Sequence, residues 1–376
     1  MKRRMHALAS RLALLSFFAA ACSSSEAPTR AGSSGAGGSN NGGKNGGAGS
    51  RSVSDAAFGS GGSAEAGGGT GSGGFVDSGD GSDSGGRGGA AGGPGSDASC
   101  GSCSGQPCSP SAPCGWVDRC PAYPSFPDAN CTGPTSSTLP LYTGSLDFRT
   151  NNQVIENVEM RIDRGLYVPA DNVTFRNVKI VFTGALNSDF TAVNLNYNTG
   201  TIFQDCEIDG RGNVARAITG SAVTVRNCEL HHVGNGIETE GPLVVEGNYI
   251  HDIYEPSGTD WHADGIQTPI STGNITIRHN TVFGRDPSTS AINMMGTMSS
   301  PATNVLIEHN LLAGGGYTVY AGPGSKYCVI NNHFSTQFFP KVGFFNIWYW
   351  DPSQDGDVTR CGNVIHETGA DANDNL

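Results

Sequence analysis

The residue types best suited to chemistry are concentrated in one octapeptide, Asp260-Trp261-His262-Ala263-Asp264-Gly265-Ile266-Gln267. It sets an indole, a flat ring for stacking, beside an imidazole and a carboxyl able to move protons near neutral pH. More titratable groups precede it: His231, His232, His251 and Asp252 sit at turn positions after short apolar runs, and Tyr254 and Glu255 enter the segment 253–264. Proton abstraction is the chemistry such a set supports, with His262 as base, Tyr254 or Lys326 as rivals, and His251 close by. Asp264 either orients His262 or joins Glu238 and Asp252 in offering hard oxygen ligands to Ca2+. Arg285 and Lys326 are the cations available to meet a ligand carboxylate.

These residues need a scaffold that brings distant positions together, and the sequence supplies one by repetition. Ile155-Glu156-Asn157-Val158-Glu159-Met160 recurs as Phe175-Arg176-Asn177-Val178-Lys179-Ile180, then as copies centred on Cys206, Cys228, Asn248, Asn280, Asn310 and Asn332. The steps between those centres are 20, 28, 22, 20, 32, 30 and 22 residues. Short β-branched strands at this period, with no 3.6-residue periodicity, predict a parallel β-solenoid. The long step holds the segment before Asp264, and insertions in solenoids form loops on one face.

A second strand per coil reads Thr191-Ala192-Val193-Asn194, Ala217-Ile218-Thr219, Asn235-Gly236-Ile237-Glu238, Asp264-Gly265-Ile266-Gln267, Ser290-Ala291-Ile292-Asn293 and Tyr317-Thr318-Val319-Tyr320. With the central aliphatic inward, alternation predicts two outward columns. One is nearly bare: Ala192, Ala217, Gly236, Gly265, Ala291 and Thr318. The other is polar: Asn194, Thr219, Glu238, Gln267, Asn293 and Tyr320. Together they describe a groove for an extended polar chain, to which Trp261, Tyr254, Arg285 and His232 add binding groups. Column counting also stacks His231 on His251. Arg226, Glu246, Arg278 and Glu308 alternate in sign along one column, and with His279 and His309 they read as structural.

The pattern resembles the right-handed parallel β-helix of the pectin-lyase-like superfamily over about 140–376, with an asparagine ladder at Asn248, Asn280, Asn310 and Asn332. Stacked amides about 4.8 Å apart can bond to one another and to the turn backbone. Cys206 and Cys228 share that column, within disulfide reach or as a stacked free pair, and Cys328 with Cys361 is the pairing expected to staple the last coils. His262-Ala263-Asp264-Gly265-Ile266-Gln267 is similar to a phrase common in β-helix proteins that act on polysaccharides. The resemblance to polygalacturonases is more distant, because no paired Asp-Asp, Gly-His-Gly or Arg-Ile-Lys is present. What the resemblance implies is an acidic polysaccharide as substrate, cut by β-elimination. A glycoside hydrolase, a C5-epimerase and a non-catalytic glycan-binding lipoprotein are the alternatives.

Composition fits that class and excludes others. From residue 101 onward 14 Lys or Arg stand against 27 Asp or Glu, so no basic face exists for nucleic acid. Residues 1–21 carry the parts of an export signal: Lys2-Arg3-Arg4, a short apolar run, then Ala19-Ala20-Ala21 before Cys22. That ending resembles a bacterial lipobox, which implies lipid attachment at Cys22 and an outer-membrane or cell-surface site, with plain secretion as the alternative. Residues 22–99 read as a disordered tether; 27 of the 70 residues from 31 to 100 are glycine. Six cysteines between Cys100 and Cys131 mark 100–138 as a disulfide-stapled cap or knob. The all-β solenoid, 139–376, is expected to be a monomer touching the membrane only through its lipid.

Overall fold

Strands of four to nine residues that end on residues tolerant of left-handed backbone cannot form a flat sheet; the chain must turn after each one. In the computed structural model it does so regularly. The residues described are 119–259, 261–268, 273–285, 288–294, 302–321, 324–350 and 358–376, without the side chains of 187–190, 324–326 and 350. The export signal, Cys22, the glycine-rich tether and Asp260 lie outside them. Each strand pairs in parallel with its counterpart one coil away. The result is a right-handed parallel β-helix with three faces, called A, B and C here.

Face A stacks Ile155, Phe175, Phe203, Val225, Val245, Ile277, Ile307 and Val329. Face B stacks Met160, Ile180, Ile208, Leu230, Ile250, Val282, Leu312, Phe334 and Ile365. Face C stacks Leu166, Val193, Ile218, Ile237, Ile266, Ile292, Val319 and Trp348. All three columns point into one core, in which Phe175 stacks on Phe203 with ring centroids 4.8 Å apart.

The corner from A to B explains the repeated phrase. One residue there is left-handed in coil after coil: Asn157, Asn177, Asp205, Asn227, Gly247, His279, His309, Asn331 and Gly362, all with φ between 52° and 69°. Asn, Asp, Gly and His are the residues that tolerate this conformation best. The next residue points inward and forms the ladder. Backbone N–H groups of Asn248, Asn280, Asn310 and Asn332 donate to the side-chain oxygens of Asn280, Asn310, Asn332 and Asn363 at 2.9–3.0 Å. The ladder therefore runs one coil past the expected four, to Asn363. At its other end the Cys228 amide donates to Asn248 and the Cys206 amide donates to Cys228 Sγ. Cys206 and Cys228 are free, buried thiols standing where the amides stand elsewhere. Cys328 and Cys361, the pair expected to staple the last coils, are both disulfide-bonded and lie on adjacent paired strands.

Residues 119–138, bridged by Cys120–Cys131, run as a strap along the A–B corner. Thr135 meets Asn177, Gly133 meets Asn227, and Ser125 and Pro127 accept bonds from His279 and Thr281. Tyr123 and Phe126 lie on His309, His333 and His366. The N-terminal end of the solenoid is covered by Leu141–Phe148, which bridges to Glu159 and Tyr167. At the C-terminal end Asp371 pairs back on Val364, and Ala372 accepts a bond from the buried indole of Trp348. The aromatic run 344–350 divides its labour: Ile347 and Trp348 fill the core, while Tyr349, Phe344 and Phe345 are exposed.

Candidate functional site

Face C carries the candidate site, but its columns differ from the expected ones. Ala192, Ala217, Ala291 and Thr318 are fully buried, so the small-residue column points inward and does not line a groove. The reason is the closeness of face B. A Cβ on Gly236 would meet Ile250 Cγ2 at 2.9 Å, and one on Gly265 would strike Val282. Simple alternation fails here because the chain bends into the corner, burying two consecutive residues. The outward positions are instead the polar column already named, and the column before the small one, Arg216, Asn235, Asp264, Ser290 and Tyr317, adjoins it, with Asn235, Asp264 and Ser290 buried beneath the surface.

These two columns form one hydrogen-bonded network across four coils. Arg216 Nε donates to Glu238 Oε2 at 2.7 Å, and Asn235 Nδ2 reaches Glu238 Oε2 at 2.6 Å and Gln267 Oε1 at 2.8 Å. Asn235 Oδ1 accepts from the Asp264 backbone N–H at 2.8 Å. Ser290 Oγ lies 2.5 Å from Asp264 Oδ1, and Asn293 Nδ2 donates to Asp264 Oδ2 at 3.1 Å. Tyr320 follows, stacked on Tyr349 at 5.0 Å and edge-on to Tyr317 at 5.4 Å. Phe345 extends that aromatic platform. At the opposite end, Asn194, Thr219 and Glu238 line a pocket of about 170 Å³ with Tyr197 and Glu240.

Asp264 is the electrostatic centre of the network. Complete burial pushes its pKa up to about 7; hydrogen bonds from Ser290 and Asn293 act against this, and the nearby Glu238 charge adds to it. Burial likewise raises the Tyr320 hydroxyl, helped by the Asp264 charge. Among the described residues the Arg216 guanidinium is bound through Nε alone, leaving its terminal nitrogens for a ligand.

The sequence-predicted residues fall into two groups. Glu238, Asp264, Gln267, Asn293 and Tyr320 come together on face C. Trp261 is half-buried, not fully exposed: its ring packs on Gly234, where a Cβ would come within 2.7 Å of it, and its Nε1 finds no acceptor among the described residues. His262 is exposed, on a left-handed backbone with φ 49°. Both Asp264 carboxyl oxygens bond within the network, to Ser290 and Asn293. Lys326 lies on the strand Gly324–Ile330 of face A, and its side chain is not described.

His232, His251, Asp252 and Arg285 gather elsewhere, on the outer side of face B. His231 and His251 stack as expected, 5.1 Å apart with planes 4° from parallel. His251 bridges Asp252 and Glu229 at 2.9 and 3.0 Å, and Arg285 meets Asp252 at 3.4 Å. Tyr254 sets its hydroxyl against Gly212. The expected calcium set does not form: Asp252 belongs to this histidine group, whereas Glu238 and Asp264 belong to the face C network. The Arg226–Glu246–Arg278–Glu308 ladder is present as ion pairs on face A.

Arg216, Asn235, Ser290, Tyr317 and Tyr349 were missed by column counting. Moving the outward column back by one residue recovers Arg216, Asn235, Ser290 and Tyr317, and the aromatic run 344–350 is the signal for Tyr349.

Compared with known families, residues 147–300 match the family described as the right handed beta helix region. Comparison with curated proteins and with solved structures returns no match.

Proposed function

We propose that the protein is an exported, lipid-anchored polysaccharide lyase that binds a uronic-acid-containing glycan along face C and cleaves it by β-elimination. The observation that carries this reading is a carboxyl group held near pKa 7, Asp264, inside an outward polar ladder that leads onto a tyrosine platform. Tyrosine faces suit the apolar side of a sugar ring, and the amides of Gln267 and Asn293 suit its hydroxyls. In the reaction the C5–H and C4–O bonds break, a C4=C5 double bond forms, and the leaving oxygen takes a proton. The terminal nitrogens of Arg216 offset the uronate charge, which makes the C5 proton acidic. His262, exposed two residues before Asp264, takes that proton, and Asp264, uncovered when the bound glycan draws Asn293 away from it, supplies one to the leaving oxygen.

One observation favours a second reading, glycoside hydrolysis. Asp264 and Glu238 are neighbouring carboxyls in unlike environments, one sealed and protonated below about 7, the other ion-paired with Arg216. That division suits an acid and a base or nucleophile. Offering pectate, alginate, glucuronan and glycosaminoglycans separates the readings. Rising ultraviolet absorbance from unsaturated ends supports the lyase. New reducing ends without absorbance support the hydrolase. Retention on a glycan column with neither product supports a binding protein, and no retention on any of them overturns the glycan reading.

A further inference from the structure

On face B, away from the glycan face, three Lewis-basic atoms converge. His231 Nδ1 and His232 Nδ1 lie 2.8 Å apart, and Asp209 Oδ1 lies 3.1 Å from His232 Nδ1 and 3.9 Å from His231 Nδ1. Ligand atoms held about 2.0–2.1 Å from one tetrahedral ion are about 3.3 Å apart, so these separations suit three vertices of a coordination shell. With both imidazoles neutral and His231 protonated on Nε2, a single N–H, on His232 Nδ1, must serve both His231 Nδ1 and the carboxylate. A cation in its place satisfies all three.

The outer partners match this arrangement. Glu207 Oε1 lies 3.3 Å from His231 Nε2, which favours the tautomer with its lone pair on Nδ1, and Lys179 holds Glu207 through both oxygens at 2.7 Å. Asp252 Oδ2 lies 4.0 Å from His232 Nε2. Arg211 steadies Asp209 through its backbone N–H on Oδ1 and its Nε on Oδ2. His231 and Asp209 are thus steered by hydrogen-bonding groups on their far sides, the pattern that orients metal-binding residues, while Asp252 lies beyond hydrogen-bond reach of His232. His232 is left-handed at φ 53°, which turns its ring back over its neighbour, and its side chain is 46% exposed, leaving a solvent-facing position for water. Among the described residues this is the one group of three or more His, Cys, Asp or Glu with ligand atoms so close.

We propose that Asp209, His231 and His232 form a site for a divalent transition cation of the zinc class, clamping two successive coils. Asp209 comes from the strand Glu207–Gly220 and the histidines from Glu229–Thr239, so the ion ties one coil to the next. The imidazole-rich donor set selects such an ion over calcium or magnesium.

Titration calorimetry of the untagged full chain with Zn2+ is expected to show one saturable site, and cobalt to give the visible absorption of a low-symmetry site. His232→Ala and Asp209→Asn should each weaken binding at least tenfold, and zinc should raise the melting temperature of the parent but not of the double variant. His251→Gln, which alters the neighbouring stack without removing a ligand, should still bind. An absence of saturable binding of zinc or cobalt by folded protein overturns the proposal. So does affinity unchanged in the double variant.

Discussion

At the scale of single residues the protein turns on Asp264. Its pKa lies far above the ordinary carboxylate value of 3.8 because burial opposes its charge more than Ser290 and Asn293 support it. As the acid of the proposed reaction it is active when protonated, so kcat is expected to fall as pH rises through about 7. Asp264→Asn should remove that limb and lower kcat by about 10²–10⁴-fold. The linkage runs the same way for stability. A carboxyl whose folded pKa is raised contributes stability that is present at low pH and lost as pH rises through about 7. The variant should therefore match or exceed the parent in denaturant stability above pH 7 while losing turnover; a variant less stable there, at every pH alike, would point to a packing role. Asp264 was legible in the sequence because it ends the inserted segment beside Trp261 and His262. Its enclosure was not, because Asp264 lies only two residues from His262 and burial treats them oppositely, exposing one and enclosing the other.

At the scale of elements, the asparagine ladder turns a repeated phrase into a rigid edge. Asn280 shows how much one rung holds. Its Oδ1 accepts from the backbone and side chain of Asn248, and its Nδ2 donates to Val245, Arg278 and Asn310. Asn280→Ala leaves the buried Asn248 N–H without an acceptor and is expected to cost about 2–4 kcal/mol in a denaturant titration. Cys228→Asn should behave differently. Its sulfur already accepts from the Cys206 amide at 3.3 Å, where an amide oxygen would sit, so extending the ladder is expected to leave stability unchanged or raise it, whereas Cys228→Ala lowers it. The ladder could be read from sequence because its spacing and left-handed neighbours follow from local backbone chemistry. Asn363 escaped because its phrase opens on Arg360, where earlier copies carry Ile, Phe or Val. The inward turn of Gly236 and Gly265 escaped for another reason: it is imposed by Ile250 and Val282 on an adjoining face, which alternation along one strand does not encode.

For the whole molecule, the strap and the solenoid share a seam of neutral histidines that should make the assembly sensitive to acid. His309 is buried beneath Tyr123, among Arg278, Glu308, His279 and His333, and burial together with the Arg278 charge and the two imidazoles holds its pKa down at about 3. His333, which takes Tyr123 Oη at 3.3 Å and faces His366, is lowered to about 4, first by burial and then by His366. Burial lowers His279 as well, against the hydrogen bond to Ser125. A histidine whose folded pKa is depressed contributes stability that is complete above its unfolded value of about 6.5 and is lost as pH falls towards the folded value. By pH 4.5, two units below that value, His309 alone should remove roughly 2–3 kcal/mol. Carboxylates whose pKa is lowered, such as Glu367, respond at more acid pH, but burial raises Glu308 beside His309 and pushes Asp264 up to about 7, so the His309 variant is what assigns the response in the window from 6.5 to 4.5. Hydrogen exchange across residues 119–138 should accelerate through this window, and His309→Asn, which keeps a left-handed-tolerant residue at the corner, should flatten the response. Equal acceleration in the variant would assign the sensitivity to other groups. Because the strap touches coils from Asn177 to His366, its release would loosen the A–B corner along much of the solenoid, while leaving the face C network without a broken contact.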